Sequence, residues 1–268
     1  MCGIVGYVGE KQALEVVVSG LRRLEYRGYD SAGVAVVADG TIQTRKKAGK
    51  LANLEGLLGD DPLPQSTTGI GHTRWATHGA PNDANAHPHV SGDGRVAVIH
   101  NGIIENFAVL RAELEAAGVT LLSETDSEVA AHLVSAELAQ DPADLVAAVR
   151  RVCQRLTGAF TLVIVHADFP DLVVGARRNS PLVVGVGDGE NFLASDVAAF
   201  IEYTRDAIEL GQDQIVVLRR DGVEITDFFG EPTQVTPFTC SCSRRSLSSR
   251  RLLRTPCSAA SAVMDYCS

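Results

Sequence analysis

Positive charge, long apolar runs and a nucleotide-binding loop are scarce or missing in this sequence. The 268 residues carry 24 Lys and Arg against 33 Asp and Glu, and the resulting net charge of −9 argues against a nucleic-acid partner. No stretch approaches the roughly 18 consecutive apolar residues of a membrane-spanning helix. The phosphate-binding pattern G-x-x-x-x-G-K-S/T does not occur. We therefore predict a soluble globular protein without a nucleic-acid or membrane partner.

Cysteine is rare over most of the chain. Cys2 and Cys153 stand alone, whereas the other four of the six cysteines lie in the last 29 residues, at Cys240, Cys242, Cys257 and Cys267. This distribution excludes a disulfide framework for the whole fold, and the C-terminal spacing matches no common zinc pattern. The first nine residues are apolar but lack a basic leader, so we expect no signal peptide and a cytoplasmic location.

The composition changes near residue 230. Residues 238–268 contain five arginines, eight serines and a single acidic residue, without helical or strand periodicity. We predict one folded domain over residues 1–230 and a disordered linker remnant over 231–268. Because its composition differs so sharply from the acidic body, our further hypothesis is that this tail is non-native sequence.

Hydrophobic periodicity predicts strands towards both ends of the domain and helices between them. No alternation of single strands and helices appears, so we predict an α+β layered sandwich of two antiparallel sheets with helices outside. The predicted strands are 3–8, 34–38, 41–46, 70–74, 95–100, 159–166, 172–177, 182–187, 191–195, 214–219 and 222–226. The predicted helices are 12–25, 51–58, 104–117, 127–140, 143–156 and 196–203.

Cys2 follows the initiator methionine, which is normally removed when the next residue has a small side chain. Its removal would leave Cys2 with both a thiol and a free α-amino group. A free thiol has a pKa of about 8.5 and needs a base, while a terminal amine titrates at about 7.7–8.0. One residue could thus supply nucleophile and base. Taken alone, Cys2 is better explained as a small apolar residue at the start of a strand.

Residues 72–79 form a dense polar segment, HTRWATHG, which includes the only tryptophan of the chain, Trp75. The planar guanidinium of Arg74 suits bidentate capture of a carboxylate. The alternatives are a surface ion pair for Arg74 and a core-capping role for Trp75. Five of the seven histidines fall within 29 residues here, which raises the question of a metal site. The pattern H-x-H with scattered partners matches no zinc or iron site, so we predict that these histidines form structural hydrogen bonds.

Two later segments carry further polar groups. Asn101 and Gly102 could offer a side-chain amide and a backbone N–H as the two neutral donors of an oxyanion hole, although Asn-Gly also forms turns. Asp126 lies at the start of a predicted helix, where it could either cap the helix or receive an ammonium group. Arg74 for a carboxylate and Asp126 for an ammonium together describe an amino-acid pocket.

The order and spacing of six segments resemble the class II glutamine amidotransferases. The segments are CGIVG (2–6), RGYDSAG (27–33), HTRWATHG (72–79), NAHPH (85–89), HNGIIEN (100–106) and ETDSE (124–128). The resemblance covers about residues 2–230 and implies the N-terminal-nucleophile (Ntn) hydrolase fold, a four-layer αββα sandwich. The segment LEYRGYDSAG (24–33), together with Trp75, is most similar to the members of this family that aminate fructose 6-phosphate.

The resemblance also implies roles for individual residues. Cys2 would attack the side-chain amide of L-glutamine with its own α-amine as base, and Asn101 and Gly102 would hold the oxyanion. Arg27 would belong to the catalytic set. Ammonia would leave, and water would hydrolyse the glutamyl thioester to glutamate. Arg74 would bind the α-carboxylate and Asp126 the α-ammonium, and the pocket would be lined by Trp75, Thr77, His78 and Gly102. The resemblance implies no cofactor and no metal.

The family members that aminate fructose 6-phosphate continue into two sugar-isomerase domains, which have no counterpart in these residues. Fructose 6-phosphate is therefore an expected partner only through those domains, and we expect the chain itself to hydrolyse glutamine alone. Two alternatives remain open at this point. The domain could belong to another amidotransferase, such as amidophosphoribosyltransferase, or it could be a catalytically silent fragment.

Overall fold

The computed structural model describes residues 2–76, 79–234 and 236–240. Two predicted pocket residues, Thr77 and His78, lie outside the described residues. So does the segment 241–268, which contains most of the predicted tail and the cysteines Cys242, Cys257 and Cys267.

Two antiparallel sheets form the centre of the described structure. The first has eight strands, in the spatial order β14 (Pro237–Thr239), β11 (Asp206–Glu209), β9 (Val183–Val186), β10 (Asn191–Ala194), β1 (Gly3–Val8), β4 (Thr68–Arg74), β2 (Ser31–Ala38) and β3 (Thr41–Ala48). The second has six, in the order β13 (Gly222–Asp227), β12 (Gln214–Arg219), β8 (Val173–Arg178), β7 (Gly158–His166), β6 (Val96–Ile104) and β5 (His89–Val90).

Helices cover the outer faces of both sheets. Apolar residues of α1 (Ala13–Arg23) and α2 (Leu51–Asp60) pack on the eight-stranded sheet. Those of α3 (Phe107–Ala116), α4 (Glu128–Gln140) and α5 (Leu145–Arg155) pack on the six-stranded sheet. A third apolar core lies between the sheets. The predicted α+β sandwich with four αββα layers is thus confirmed. None of the described helices is long and apolar enough to cross a membrane.

Strand β6 shows how the alternation of side chains places polar groups in different layers. Val98 packs in the core beneath the helices, whereas Ile99 packs in the core between the sheets. The alternation continues at the end of the strand, because successive side chains of a strand point to opposite faces. His100 therefore reaches Ser127 in the helical layer, and Asn101 reaches His72 of β4 between the sheets.

The Asn-Gly pair lies within a strand and does not form a turn. Strand β6 continues to Ile104, with Gly102 opposite Phe160 of β7, so α3 begins at Phe107 and not at residue 104 as predicted. Gly102 has a φ of 123°, and a Cβ there would lie 2.0 Å from the carbonyl oxygen of Ala159. Only glycine fits this close approach.

The remaining differences from the predicted elements involve short segments. Strands β5, β11 and β14 have only two to four residues each, too few for a periodic pattern, and the predicted helix 196–203 is a single 3₁₀ turn at Val197–Ala199. Strand β14 pairs with β11, so the eight-stranded sheet extends beyond residue 230, where the sequence places the end of the domain.

A buried carboxylate holds the segment that leads into α4. Glu128 accepts hydrogen bonds from the backbone N–H groups of Leu122 (2.8 Å) and Ser123 (2.6 Å) and from the Ser123 hydroxyl (2.6 Å). Its Oε1 also lies 3.6 Å from Nε2 of His132. Burial alone would raise the pKa of Glu128, but these contacts outweigh it and lower the pKa from 4.5 to about 2.

We expect Glu128→Gln to destabilise the fold in a pH-dependent way. Because the folded-state pKa lies below the unfolded value, the carboxylate contributes stability above pH 4.5, and this contribution is lost as the pH falls towards 2. Urea unfolding at pH 7 should give a free energy of unfolding about 1–3 kcal/mol below that of wild type, and this gap should narrow at pH 3. The exposed Glu15→Gln in α1 is the control, with little change expected. A gap of equal size at both pH values would contradict this role.

Candidate active site

A cavity of about 280 Å³ opens where β1 begins and where β4 and β6 end. Seven of the nine residues that the sequence singles out line it: Cys2, Arg27, Arg74, Trp75, Asn101, Gly102 and Asp126. The other two, Thr77 and His78, lie outside the described part of the chain. Segments as far apart in sequence as those of Cys2 and Asp126 therefore meet around one space.

Cys2 lies directly before β1, beside the end of β4. The pairing of these strands places Gly3 opposite Thr73, which brings the Cys2 thiol next to Trp75. The backbone N–H of Trp75 lies 3.1 Å from Sγ and donates to it. Burial raises the pKa of the Cys2 thiol, and the hydrogen bond from Trp75 and the charge of Arg74 offset this only in part. The thiol therefore needs a base to become a nucleophile.

Asn101 reaches the same point from the other sheet. Its Nδ2 donates to the carbonyl oxygen of Cys2 at 3.2 Å, and its Oδ1 lies 2.8 Å from Nε2 of His72. An amide NH2 carries two hydrogens, so one remains for a second acceptor near the thiol. Asn101 and the following Gly102 both line the cavity. This geometry suits the predicted stabilisation of an oxyanion.

Arg74 ends β4 as a buried cation, with only 4% of its surface exposed. The loop that follows wraps around its guanidinium, which donates to the carbonyl oxygens of Gly79 (3.3 Å) and Ala80 (3.4 Å). The carboxylate of Asp30 accepts from the N–H of Ala76 at 2.5 Å and so fixes the start of this loop. A buried guanidinium that lines a cavity is well placed to bind an acid group there.

Asp126 is the acidic counterpart, with 6% of its surface exposed. It does not cap α4: the helix begins after Ser127 without a side-chain cap, and Asp126 Oδ2 instead accepts from the N–H of Ile104 at 2.8 Å. This bond ties the segment before α4 to the end of β6. The cavity is therefore lined by one buried cation and one buried anion from different layers of the fold.

Arg27 has a partner that the sequence does not suggest. Its guanidinium forms an ion pair with Asp196 and donates to the Ser195 hydroxyl at 3.2 Å, and this hydroxyl accepts from the N–H of Ile4 at 3.1 Å. Ser195 and Asp196 follow β10, almost 170 residues later in the chain, and no motif identifies them. Arg27 thus lines the cavity and is linked through Ser195 to Ile4 of β1, two residues after Cys2. Its charge is balanced by Asp196.

Four histidines of the polar segments are buried near the cavity: His72, His87, His89 and His100. Burial lowers the pKa of each, that of His72 to about 3, so all four are neutral at physiological pH. His89 contacts Thr125 at 3.0 Å and His100 contacts Ser127 at 2.8 Å. Within residues 2–76, 79–234 and 236–240, no three His, Cys, Asp or Glu side chains form a group suited to a metal ion.

The chain is similar to a family of domains and to several curated proteins. Residues 72–202 match the family of glutamine amidotransferase domains. The chain is 69% identical over 238 residues to glutamine–fructose-6-phosphate aminotransferase (isomerizing) of Streptomyces coelicolor, covering 89% of this chain and 38% of that protein. It is 61% identical over 246 residues to the protein of the same name from Corynebacterium efficiens, covering 89% and 39%. The chain thus spans about two fifths of the length of these curated relatives.

A solved structure shares the fold. Glutamine phosphoribosylpyrophosphate amidotransferase from B. subtilis superimposes with a TM-score of 0.71 at 25% identity, over 85% of this chain and 49% of that one. This similarity agrees with the Ntn-hydrolase architecture of two antiparallel sheets between helices. Sequence relatives, fold and cavity thus lead to one conclusion: the chain contains a class II glutamine amidotransferase domain.

Proposed function

We propose that this domain hydrolyses the side-chain amide of L-glutamine to glutamate and ammonia. The observation that carries the proposal is the meeting of Cys2 and Asn101 at a cavity that also contains a buried arginine and a buried aspartate. A glutamine bound by Arg74 through its α-carboxylate and by Asp126 through its α-ammonium would direct its side-chain amide away from these charges. Trp75, Thr77 and His78 complete the proposed pocket.

The proposed reaction begins with proton transfer from the thiol of Cys2. After removal of Met1, the α-amine of Cys2 accepts that proton, and Sγ attacks the amide carbon to form a tetrahedral oxyanion. Asn101 Nδ2 and the Gly102 N–H donate to the oxyanion. The protonated amine returns its proton to the leaving nitrogen, which departs as ammonia. Water then attacks the thioester, which gives glutamate and restores the thiol.

Arg27 supports this site through its contacts with Ser195 and Asp196. Its guanidinium is engaged in an ion pair, so we assign it to holding the start of β1 and hence the position of Cys2. The natural acceptor of the ammonia is, in our proposal, fructose 6-phosphate bound by sugar-isomerase domains beyond this chain, in the synthesis of an amino sugar in the cytoplasm. The names of the relatives, at 69% and 61% identity, support this acceptor over phosphoribosylpyrophosphate.

Replacement of Asn101 by alanine tests the oxyanion hole. We expect Asn101→Ala to lower kcat for glutamine hydrolysis by about 10²–10³-fold, because the loss of one donor weakens the transition state more than the bound substrate. Glutamine should still raise the thermal unfolding midpoint of the variant, since binding to the folded state remains. Asn53→Ala, on the exposed start of α2, is the matched control. An unchanged kcat in Asn101→Ala would exclude this role.

Substrate analogues test the two charged groups separately. Glutaminamide lacks the α-carboxylate and glutaramate lacks the α-ammonium, and each should have a kcat/KM about 10–100-fold below that of glutamine with wild-type protein. Arg74→Gln should abolish discrimination against glutaminamide but retain it against glutaramate. Asp126→Asn should show the opposite pattern. Because substrates are compared within one variant, a general loss of activity affects all of them alike and cancels. Arg219→Gln, on the surface, is the control for the change of charge. Equal discrimination in both variants would refute the assignments.

A further inference from the structure

Two buried histidines lie behind Asn101. His72, on β4, has none of its surface exposed, and His87, in the loop before β5, has 4% exposed. Nε2 of His72 lies 2.8 Å from Oδ1 of Asn101, whose Nδ2 donates to the Cys2 carbonyl. Hydrogen bonds thus connect His72, Asn101 and the Cys2 carbonyl in one chain. Nδ1 of His87 lies 3.1 Å from Nδ1 and 3.5 Å from Nε2 of His72, with ring centroids 4.3 Å apart, so His87 packs against the face of the His72 ring.

The end of this chain determines the direction of every bond in it. The atom of Asn101 that faces the carbonyl oxygen of Cys2, at 3.2 Å, must be the NH2 group, because an oxygen there would place two acceptors against each other. Oδ1 of Asn101 therefore faces His72, whose Nε2 must carry the hydrogen. A neutral imidazole carries one ring hydrogen, so His72 is the Nε2–H tautomer.

The surroundings keep both rings neutral and in place. Burial lowers the pKa of His72 to about 3 and lowers that of His87 well below its usual value, so neither ring gains a second proton at physiological pH. Nζ of Lys46 donates to the carbonyl oxygens of Ala86 (2.8 Å) and Pro88 (3.3 Å), on either side of His87. The backbone that carries His87 is therefore anchored from β3.

We propose that His72, packed against His87, is a positioning residue that keeps the NH2 group of Asn101 turned towards Cys2. Rotation of the amide by 180° would present an oxygen to the developing oxyanion and repel it. With Nε2–H of His72 fixed opposite Oδ1, that rotation would bring two donors together and lose both bonds. The proposal rests on the glutamine hydrolysis proposed above, and it adds to that reaction a residue that does not touch the substrate.

Two substitutions of His72 separate the orienting bond from simple packing. The side-chain nitrogen of glutamine occupies the place of imidazole Nε2, whereas that of asparagine occupies the place of Nδ1. His72→Asn should lower kcat by about 10–100-fold with little change in KM, because it removes the donor to Asn101. His72→Gln should restore kcat to within about threefold of wild type, because it supplies an N–H at the same point. His166→Asn, at the far end of β7, is the matched control and should retain wild-type kcat.

A double-mutant cycle shows whether His72 acts through Asn101. If it does, His72→Asn should have no further effect on kcat in the Asn101→Ala background, because the group that it orients is absent. The proposal would be overturned if His72→Asn lowered kcat by the same factor in both backgrounds. It would also be overturned by equal kcat values for His72→Asn and His72→Gln, or by an unchanged kcat in His72→Asn.

The tautomer of His72 provides a readout that does not depend on activity. Nitrogen NMR of the imidazole rings in the wild-type chain should show His72 as the Nε2–H tautomer at pH 7. His72 as the Nδ1–H tautomer would overturn the orienting bond, even in a fully active protein. A wild-type chain with the expected tautomer but no glutamine hydrolysis would instead refute the proposed function and leave the hydrogen-bond chain supported.

Discussion

The antiparallel pairing of β1 with β4 is the constraint on which the site depends. It makes the first residues of the chain an interior strand of the eight-stranded sheet, with Gly3 opposite Thr73. A Cβ at Gly3 would lie 2.5 Å from the Thr73 hydroxyl, so the strands pack here without room for a side chain. Cys2 is consequently held beside Trp75, even though it lies so close to the beginning of the chain.

The charges that line the cavity complement the zwitterion that we propose as its ligand. One buried cation and one buried anion line it, Arg27 is neutralised by Asp196, and the histidines behind Asn101 remain neutral because of burial. A free amino acid carries both complementary charges on one carbon atom, so it can satisfy Arg74 and Asp126 together.

Much of this site could be predicted from the sequence because most of its residues lie in short polar segments. Arg74 and Asn101 lie at or near the ends of strands, Asp126 precedes a helix, and seven of the nine predicted residues line one cavity. The pairing of Arg27 with Asp196 joins two loops, and that of His72 with Asn101 joins the two sheets. Neither could be predicted, since both depend on how distant parts of the chain pack together. Strands β5, β11 and β14 were too short to leave a periodic pattern.

Intact mass spectrometry with a glutamine-like electrophile tests the central claim most directly, namely that Cys2 is an activated nucleophile in a formed glutamine pocket. 6-Diazo-5-oxonorleucine alkylates such a thiolate with loss of N2. We predict that the wild-type chain lacks Met1 and gains one adduct on its N-terminal peptide. Glutamine should protect it from labelling, and the Cys2→Ser variant should stay unlabelled. A chain that retains Met1, remains unlabelled, or carries the adduct on Cys153 would contradict the account.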